Sequence, residues 1–442
     1  MNFPVTRRHS VERRSAAQAV DATRWPHVAT PPHASRARAA VAEAVVRGAL
    51  ARLPLRVHLA GGSQLGLGGP LLNIHDPDAF YRRIGVSGLV GFGESYMARE
   101  WDAPDLVAAL TVLAGHAADL IPGPLQRLRN VWALRQPASQ RNTPAGARDN
   151  ISRHYDLSND LFALFLDESL SYSSAIFRGF PATWQRLETA QHNKIDRLLD
   201  LTEVGPGTRL LEIGTGWGEL AIRAAARGAR VTTLTLSAEQ RDLARARVEA
   251  AGIADRVSIE LCDYREATGT FDAVVSVEMI EAVGEEFWPV YFQTLDARLA
   301  PGGRVALQAI TMPHDRMLAT RDTYTWIHKY IFPGGLLPSV EAIDSTVQDH
   351  TGLHTVRRDG FGIHYAETLR LWRERFTERA DEVDALGFDE TFRRMWTFYL
   401  AYSEAGFRSG YLDVQQYLFT KGASSAGSTT RDAGRQLGGS GR

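Results

Sequence analysis

The stretch Leu210-Leu211-Glu212-Ile213-Gly214-Thr215-Gly216-Trp217-Gly218-Glu219 constrains this chain more than any other. Residues 208–213 read as a short apolar strand, and the alanine-rich residues 220–226 read as a helix that follows at once. Glycines at 214, 216 and 218 allow a sharp strand-to-helix turn and let a ligand approach the main chain, which side chains would prevent. An acidic residue at the strand end (Glu212) and free N–H groups at the helix start suit a nucleoside-bearing cofactor. The spacing G-x-G-x-G differs from the dinucleotide fingerprint G-x-G-x-x-G, which weakens a nicotinamide reading.

Around this turn the chain alternates strands and helices. Strands are expected at 209–213, 230–236, 257–261, 272–277 and 304–310, with segments of helical length and spacing between them. That rhythm specifies an α/β fold with a doubly wound parallel sheet, whose ligand crevice lies at the carboxyl ends of the strands. Aromatic-rich segments at 312–350 and 365–410 break the rhythm and are expected to be helical cover over the crevice. Residues 1–35 show no periodicity and are expected to lack order. Residues 36–135 are read as a small basic N-terminal α/β domain, and 136–148, rich in Pro, Gln, Arg and Asn, as a linker. The main domain then spans 149–421, and 422–442 is a low-complexity tail expected to lack order.

At 442 residues, 44 % of them hydrophobic, the chain has the size and composition of a globular protein of two or three domains. Its net charge of −1 gives no argument for nucleic acid, and none is expected as a partner. The charge is uneven, however. Residues 1–150 hold 18 arginines against 11 carboxylates, leaving the remainder at −8. A basic N-terminal part suits anionic lipid head groups or nucleic acid, against the plain alternative of a solvated face. The single cysteine, Cys262, excludes intramolecular disulfides and cysteine-rich zinc sites. His314, His328 and His364 show no metal-ligand spacing, so no metal is expected. No apolar run approaches the ~20 residues of a membrane span. A cytoplasmic protein touching the inner face of the membrane peripherally is the expected location, and self-association into a homo-oligomer is left open.

Two further elements follow the next strands. Thr235-Leu236-Ser237-Ala238-Glu239-Gln240 stands where such folds place a ribose contact, with Thr235, Leu236 and Gln240 as candidates. Cys262-Asp263-Tyr264-Arg265 fits an adenine contact, with the Asp263 carboxylate for the amino group and Tyr264 for the ring. The three elements at successive strand ends resemble the S-adenosylmethionine (SAM) site of class I methyltransferases. In that reading Glu212, Gly214, Gly216 and Gly218 belong to the cofactor loop.

Two blocks narrow the resemblance. One is Arg153-His154-Tyr155-Asp156-Leu157-Ser158-Asn159-Asp160, continuing to Tyr172-Ser173-Ser174; the other is Ser276-Val277-Glu278-Met279-Ile280-Glu281-Ala282-Val283-Gly284. With the glycine loop they resemble the cyclopropane-fatty-acyl-phospholipid synthase family over roughly residues 80–421. Leu307-Gln308-Ala309-Ile310-Thr311-Met312-Pro313-His314 and Tyr330-Ile331-Phe332-Pro333-Gly334-Gly335 look closer to the branch that makes 10-methylene fatty acids.

The resemblance implies transfer of a methyl group to the cis double bond of an unsaturated phospholipid acyl chain, through a carbocation. Tyr172 and Ser173 would join the cofactor site. His154 and Tyr155 would lie near the cofactor or the acyl tunnel. The base would be a bound bicarbonate held by Ser174 and Ile310 (through their backbones), Glu281, Gln308 and Tyr399. The commoner family pattern has Cys at position 174 and His at position 308. Aromatic faces at Tyr324, Trp326, Tyr330, Phe332, Tyr365, Trp372, Trp396, Phe398 and Tyr399 could shield the cation, and most of these are expected to be core. The alternative product is a cyclopropane, and saturation of a methylene would need a separate flavin-dependent reductase. Rival readings are a methyltransferase for a soluble small molecule and a lipid-binding protein with structural SAM.

Overall fold

The computed structural model describes residues 19–117, 137, 140–143, 146–147 and 158–422. They fall into two compact units. One comprises Met1–Leu134, Tyr324–Lys329 and Arg373–Ala405; the other comprises Arg135–Thr323, Tyr330–Trp372 and Gly406–Arg442. The first unit is thus drawn from three separate stretches of sequence.

In the first unit, strands β1 (Arg56–Leu59), β2 (Gln64–Leu65), β3 (Leu71–Ile74) and β4 (Trp101–Asp102) form a small sheet in the order β2-β1-β3-β4. β1 runs parallel to β3, while β2 and β4 are antiparallel to their neighbours. The helix Pro77–Met97 starts at an Asp76 cap with proline in its first turn, and it kinks at Gly88 (φ 53°). Its inner face packs an aromatic cluster: Phe92 stacks on Trp101 at 4.8 Å, and Phe398 meets Trp326 edge-on at 4.9 Å. Residues 19–35 differ from the expectation of no order, because Pro26–Ala29 is helical and Val28 is buried. Arg83 explains why. Its buried guanidinium donates to Glu100 (2.7 Å) and to the carbonyls of His27 and Val28 (2.6 Å each), and a charge out of water requires such partners.

The second unit is built on a seven-stranded sheet of order β10-β11-β9-β8-β5-β6-β7. Its strands are β5 (Arg209–Ile213), β6 (Arg230–Thr235), β7 (Val257–Leu261), β8 (Phe271–Val277), β9 (Leu299–Thr311), β10 (Leu353–Gly360) and β11 (Asp413–Lys421). β5 to β9 are mutually parallel, as expected. The central strands are apolar on both faces because helices cover both. Leu210, Ala273 and Val275 pack under helices Leu187–Leu201 and Glu219–Ala226; Leu211, Val274 and Val305 pack under Trp288–Arg298 and Val340–His350.

The sheet departs from the expectation at one edge, where β11 is antiparallel to both β9 and β10. Neither strand is foreseen. β10 is a polar edge with little burial, and β11 carries Gln415 and Gln416 in its buried middle, which hides its period. β5 lies between β6 and β8, so the order of strands reverses beside it. A crevice opens there at the carboxyl ends. The linker at 136–148, apart from 137, 140–143 and 146–147, lies outside the described residues, as do His154, Tyr155 and the tail beyond 422.

Candidate active site

A cleft enclosing about 980 Å³ of space open to solvent occupies this crevice. Each strand end contributes to it: Gly214, Thr215 and Gly216 after β5, Thr235, Leu236 and Gln240 after β6, Cys262 and Tyr264 after β7, and Val277, Glu278 and Met279 at β8. Tyr172 and Ser173 close one side, with Lys194 from the helix Leu187–Leu201. Tyr172, Ser173, Glu212, Gly214, Gly216, Thr235, Leu236, Gln240 and Tyr264, all expected at a cofactor, are therefore brought together.

The glycine turn has the geometry its composition calls for. Gly214 has φ +96°, and a Cβ there would come within 2.7 Å of Met279. Gly216 has φ +53° with open space where a side chain would stand, so the main chain faces the cleft bare. Gly218 differs: it caps the helix Glu219–Ala226 and does not line the cleft.

The turn is held from behind, mostly by residues that no sequence motif marks. Arg247 donates to the carbonyls of Trp217 (2.8 Å) and Ser169 (3.1 Å) and pairs with Glu219 (2.8 Å). Asn159 accepts from the Trp217 indole N–H at 2.8 Å, giving the described end of the first signature block a structural task. Gln191 donates to the carbonyls of Ser171 and Ser173, and Lys194 donates to the Ser173 hydroxyl at 2.7 Å.

Three charged groups in the cleft wall are deeply buried. Burial pushes the Glu212 carboxyl up to about 8 and the Lys194 ammonium down to about 8, since a low-dielectric setting disfavours either charge. Oε2 of Glu212 is buried without a hydrogen-bond partner. An orphaned carboxylate oxygen beside a bare glycine turn fits the ammonium of an amino-acid-bearing cofactor, so SAM suits this site. Thr235 donates to the Gln240 carbonyl (3.1 Å), leaving the Gln240 amide N–H groups as donors for a ribose. The Asp263 carboxylate is bound on both oxygens by Arg265 (2.8 and 2.6 Å) and does not line the cleft, whereas the neighbouring Cys262 and Tyr264 do.

The third buried group is Glu278, to which the sequence pattern assigns no role. Its Oε1 accepts from the Ser174 backbone N–H at 2.9 Å and from Gln308 Nε2 at 2.7 Å. Its Oε2 accepts from the Tyr365 hydroxyl at 3.0 Å. Gln308 is oriented in turn, because its carbonyl accepts from Gln416 (2.9 Å), whose own carbonyl accepts from Arg197. Glu281, three residues on, accepts from the Ile310 backbone N–H through Oε1, and burial followed by the Glu278 charge pushes its carboxyl up to about 8.

Ser174, Ile310 and Gln308 thus converge on two protein carboxylates. Tyr399 belongs to the other compact unit, where it is buried and meets Trp396 edge-on at 5.2 Å. The aromatic set divides likewise. Trp326, Trp396 and Phe398 are core of the first unit, while Tyr365 and Trp372 stand in the second with Tyr172, whose ring lies 5.3 Å from Trp372. Among the described residues no group of His, Cys, Asp and Glu could hold a metal ion.

A family model described as mycolic acid cyclopropane synthetase matches residues 142–417. The chain is 55 % identical over 413 residues to the tuberculostearic acid methyltransferase UfaA1 of Mycobacterium tuberculosis, covering 91 % of this chain and 97 % of that one. It is 34 % identical over 361 residues to the cyclopropane-fatty-acyl-phospholipid synthase of Escherichia coli K12, covering 79 % and 88 %. Among solved structures it resembles the mycolic acid cyclopropane synthase CmaA1 complexed with SAH and CTAB. The TM-score is 0.57 at 30 % identity, over 65 % of this chain and 99 % of that one. A strand-end cleft shaped for a nucleoside-bearing methyl donor and matches of this extent lead to one conclusion: the chain belongs to the mycolic acid cyclopropane synthetase family and is a SAM-dependent methyltransferase.

Proposed function

We propose that the chain methylates the cis double bond of an unsaturated acyl chain on a membrane phospholipid and yields a 10-methylene acyl product. The near full-length relation to a tuberculostearic acid methyltransferase carries this reading. SAM, when bound, supplies an electrophilic methyl group on a sulfonium. Glu212 would pair with its ammonium, Gln240 and Thr235 with its ribose, and Tyr264 would lie against its base. An isolated alkene is a feeble nucleophile, so the site must hold it close to the methyl in a dry slot. Tyr172 offers the cleft a ring face that would stabilise a cation without bonding to it, with Trp372 packed 5.3 Å from that ring and Tyr365 edge-on to Trp372.

The residues do not fit a bicarbonate base, because three of the groups allotted to it, the Ser174 and Ile310 N–H groups and the Gln308 amide, already serve Glu278 and Glu281. A further anion there would face the Glu278 carboxylate in a buried setting. After a 1,2-hydride shift, proton loss from the new methyl gives the methylene; without the shift it closes a cyclopropane. Saturation to a 10-methyl chain falls to a separate flavin-dependent reductase. The arginine-rich N-terminal unit would dock on anionic lipid at the cytoplasmic face. No described helix is long and apolar enough to cross a membrane.

Mass spectrometry of phospholipids from a host expressing the chain tests this reading. A gain of one CH₂ on oleoyl chains, which ozone converts to a mid-chain ketone, is the expected result. In a host without the flavin-dependent reductase an ozone-resistant gain means a ring, and unchanged lipids would refute the substrate.

A further inference from the structure

We propose that the Glu278 carboxylate itself accepts the proton that ends the methyl transfer, in the place where the family resemblance expects a bound bicarbonate. This rests on the acyl-chain reading above. Glu278 follows β8 directly and lines the cleft together with the glycine turn, so it shares a wall with the cofactor site. Its two oxygens are gripped by three donors from distant parts of the chain: the Ser174 N–H, Gln308 Nε2 and the Tyr365 hydroxyl. A carboxylate and a bicarbonate present the same planar O–C–O edge, and these donors are ones an anion of that shape would use.

Other features agree. Glu278 has φ +53°, a left-handed conformation that a glutamate rarely adopts and that persists only where its surroundings over-determine it. Gln308 donates to the carboxylate without bringing a positive charge, whereas an imidazolium there would weaken the base. The amide cannot turn over, since Gln416 holds its carbonyl. Burial raises the Glu278 carboxyl against its hydrogen bonds and the Lys194 charge, which keeps it a competent acceptor.

The step balances. The alkene π pair forms the bond to the methyl carbon as the C–S bond breaks and its pair stays on sulfur. The cation left on the neighbouring chain carbon moves by a hydride shift to the methyl-bearing carbon. A methyl C–H bond then breaks, its pair becomes the exocyclic double bond, and the proton passes to a Glu278 oxygen. The positive charge of the sulfonium and the negative charge of the carboxylate cancel.

The test uses the purified full chain, SAM and vesicles of oleoyl phosphatidylglycerol, with SAH release and product mass as readouts. Bicarbonate is stripped from the buffer or added back. Wild-type turnover should be the same in both buffers. Glu278→Gln should lower kcat by about 10²- to 10⁴-fold, the usual worth of a positioned base, with SAM binding by calorimetry retained. Glu278→Gly should show a saturable rise in turnover with added bicarbonate, which a merely structural role for Glu278 would not produce. Should the glycine variant fail to fold, the glutamine variant and the wild-type buffer comparison decide. Wild-type turnover that collapses without bicarbonate, or a glutamine variant as fast as wild type, overturns the assignment and leaves the acyl-chain reading standing. No methyl transfer by the wild type in either buffer overturns that reading and this proposal with it.

Discussion

Replacing Arg247 by alanine should loosen the cofactor loop without touching the cleft. The guanidinium reaches the loop carbonyl of Trp217 at 2.8 Å, the carbonyls of Ser169 and Glu168 at 3.1 and 3.2 Å, and Glu219 at 2.8 Å. Hydrogen bonds to charged groups are worth about 1.5–3 kcal/mol each net. With one-fifth of the Arg247 side chain exposed, solvent screens part of that, and we take about 3 kcal/mol for the whole set. A loss of that size lowers the melting temperature by roughly 5–10 °C. If about 1.4 kcal/mol of it is spent on ordering the turn, the binding-competent fraction falls tenfold and the apparent Kd for SAM rises about tenfold. Titration calorimetry with SAM and SAH, paired with thermal melts, reads both quantities. Arg247→Lys keeps the charge but loses the forked geometry and should fall between the two. A SAM Kd within about twofold of wild type in a destabilised variant would refute the reasoning. Arg247 would then serve the fold alone.

Stability should depend on pH in an unusual way. Glu212 and Glu281 are raised to about 8 by burial, so between about 4.5 and 8 the folded chain holds protons that the unfolded chain has released. Stability therefore falls as pH rises through that window, by up to ~1.4 kcal/mol per pH unit for each group. Lys194, lowered to about 8, acts oppositely: above that pH the folded chain has shed a proton the unfolded chain keeps, and stability recovers toward pH 10.5. Melts of the cofactor-free protein should show a minimum near pH 8, and Glu212→Gln with Glu281→Gln should flatten the falling limb; a rising limb there would contradict the burial argument. Neutralising the exposed Arg52, Arg56 and Arg82 to glutamine should weaken sedimentation with anionic liposomes by about tenfold or more at low salt, at ~1 kcal/mol per charge, and leave SAM binding intact. Unchanged sedimentation would remove these arginines from the membrane contact.

The cleft was legible because its signals are local. A glycine turn after an apolar strand, and short polar motifs after the next two strands, each lie within a few residues of the main-chain feature they serve. Even so, spacing alone does not reveal that Arg265, two residues on, holds both oxygens of Asp263. Neighbouring residues compete for the same carboxylate, and spacing does not say which partner wins. The signal that could have found Glu278 was present: an additional glutamate three residues before Glu281, in a chain whose position 308 is glutamine rather than histidine. Read as a pair, an acid and a neutral donor suggest each other.

By itself the sequence determined the parallel α/β core, the strand-end cofactor site and the family, since period, glycine spacing and turn chemistry act over a few residues. Only the tertiary structure decided which carboxylate the donors serve. Ser174, Gln308 and Tyr365 lie 104, 30 and 87 residues from Glu278, and no local pattern brings them to it. Burial then acts on the group they enclose, because desolvation depends on everything packed around a charge rather than on its neighbours in the chain. The same holds for the first unit, where Arg83 orders residues 26–29 and Trp326 and Phe398 complete an aromatic core begun some 230 and 300 residues earlier.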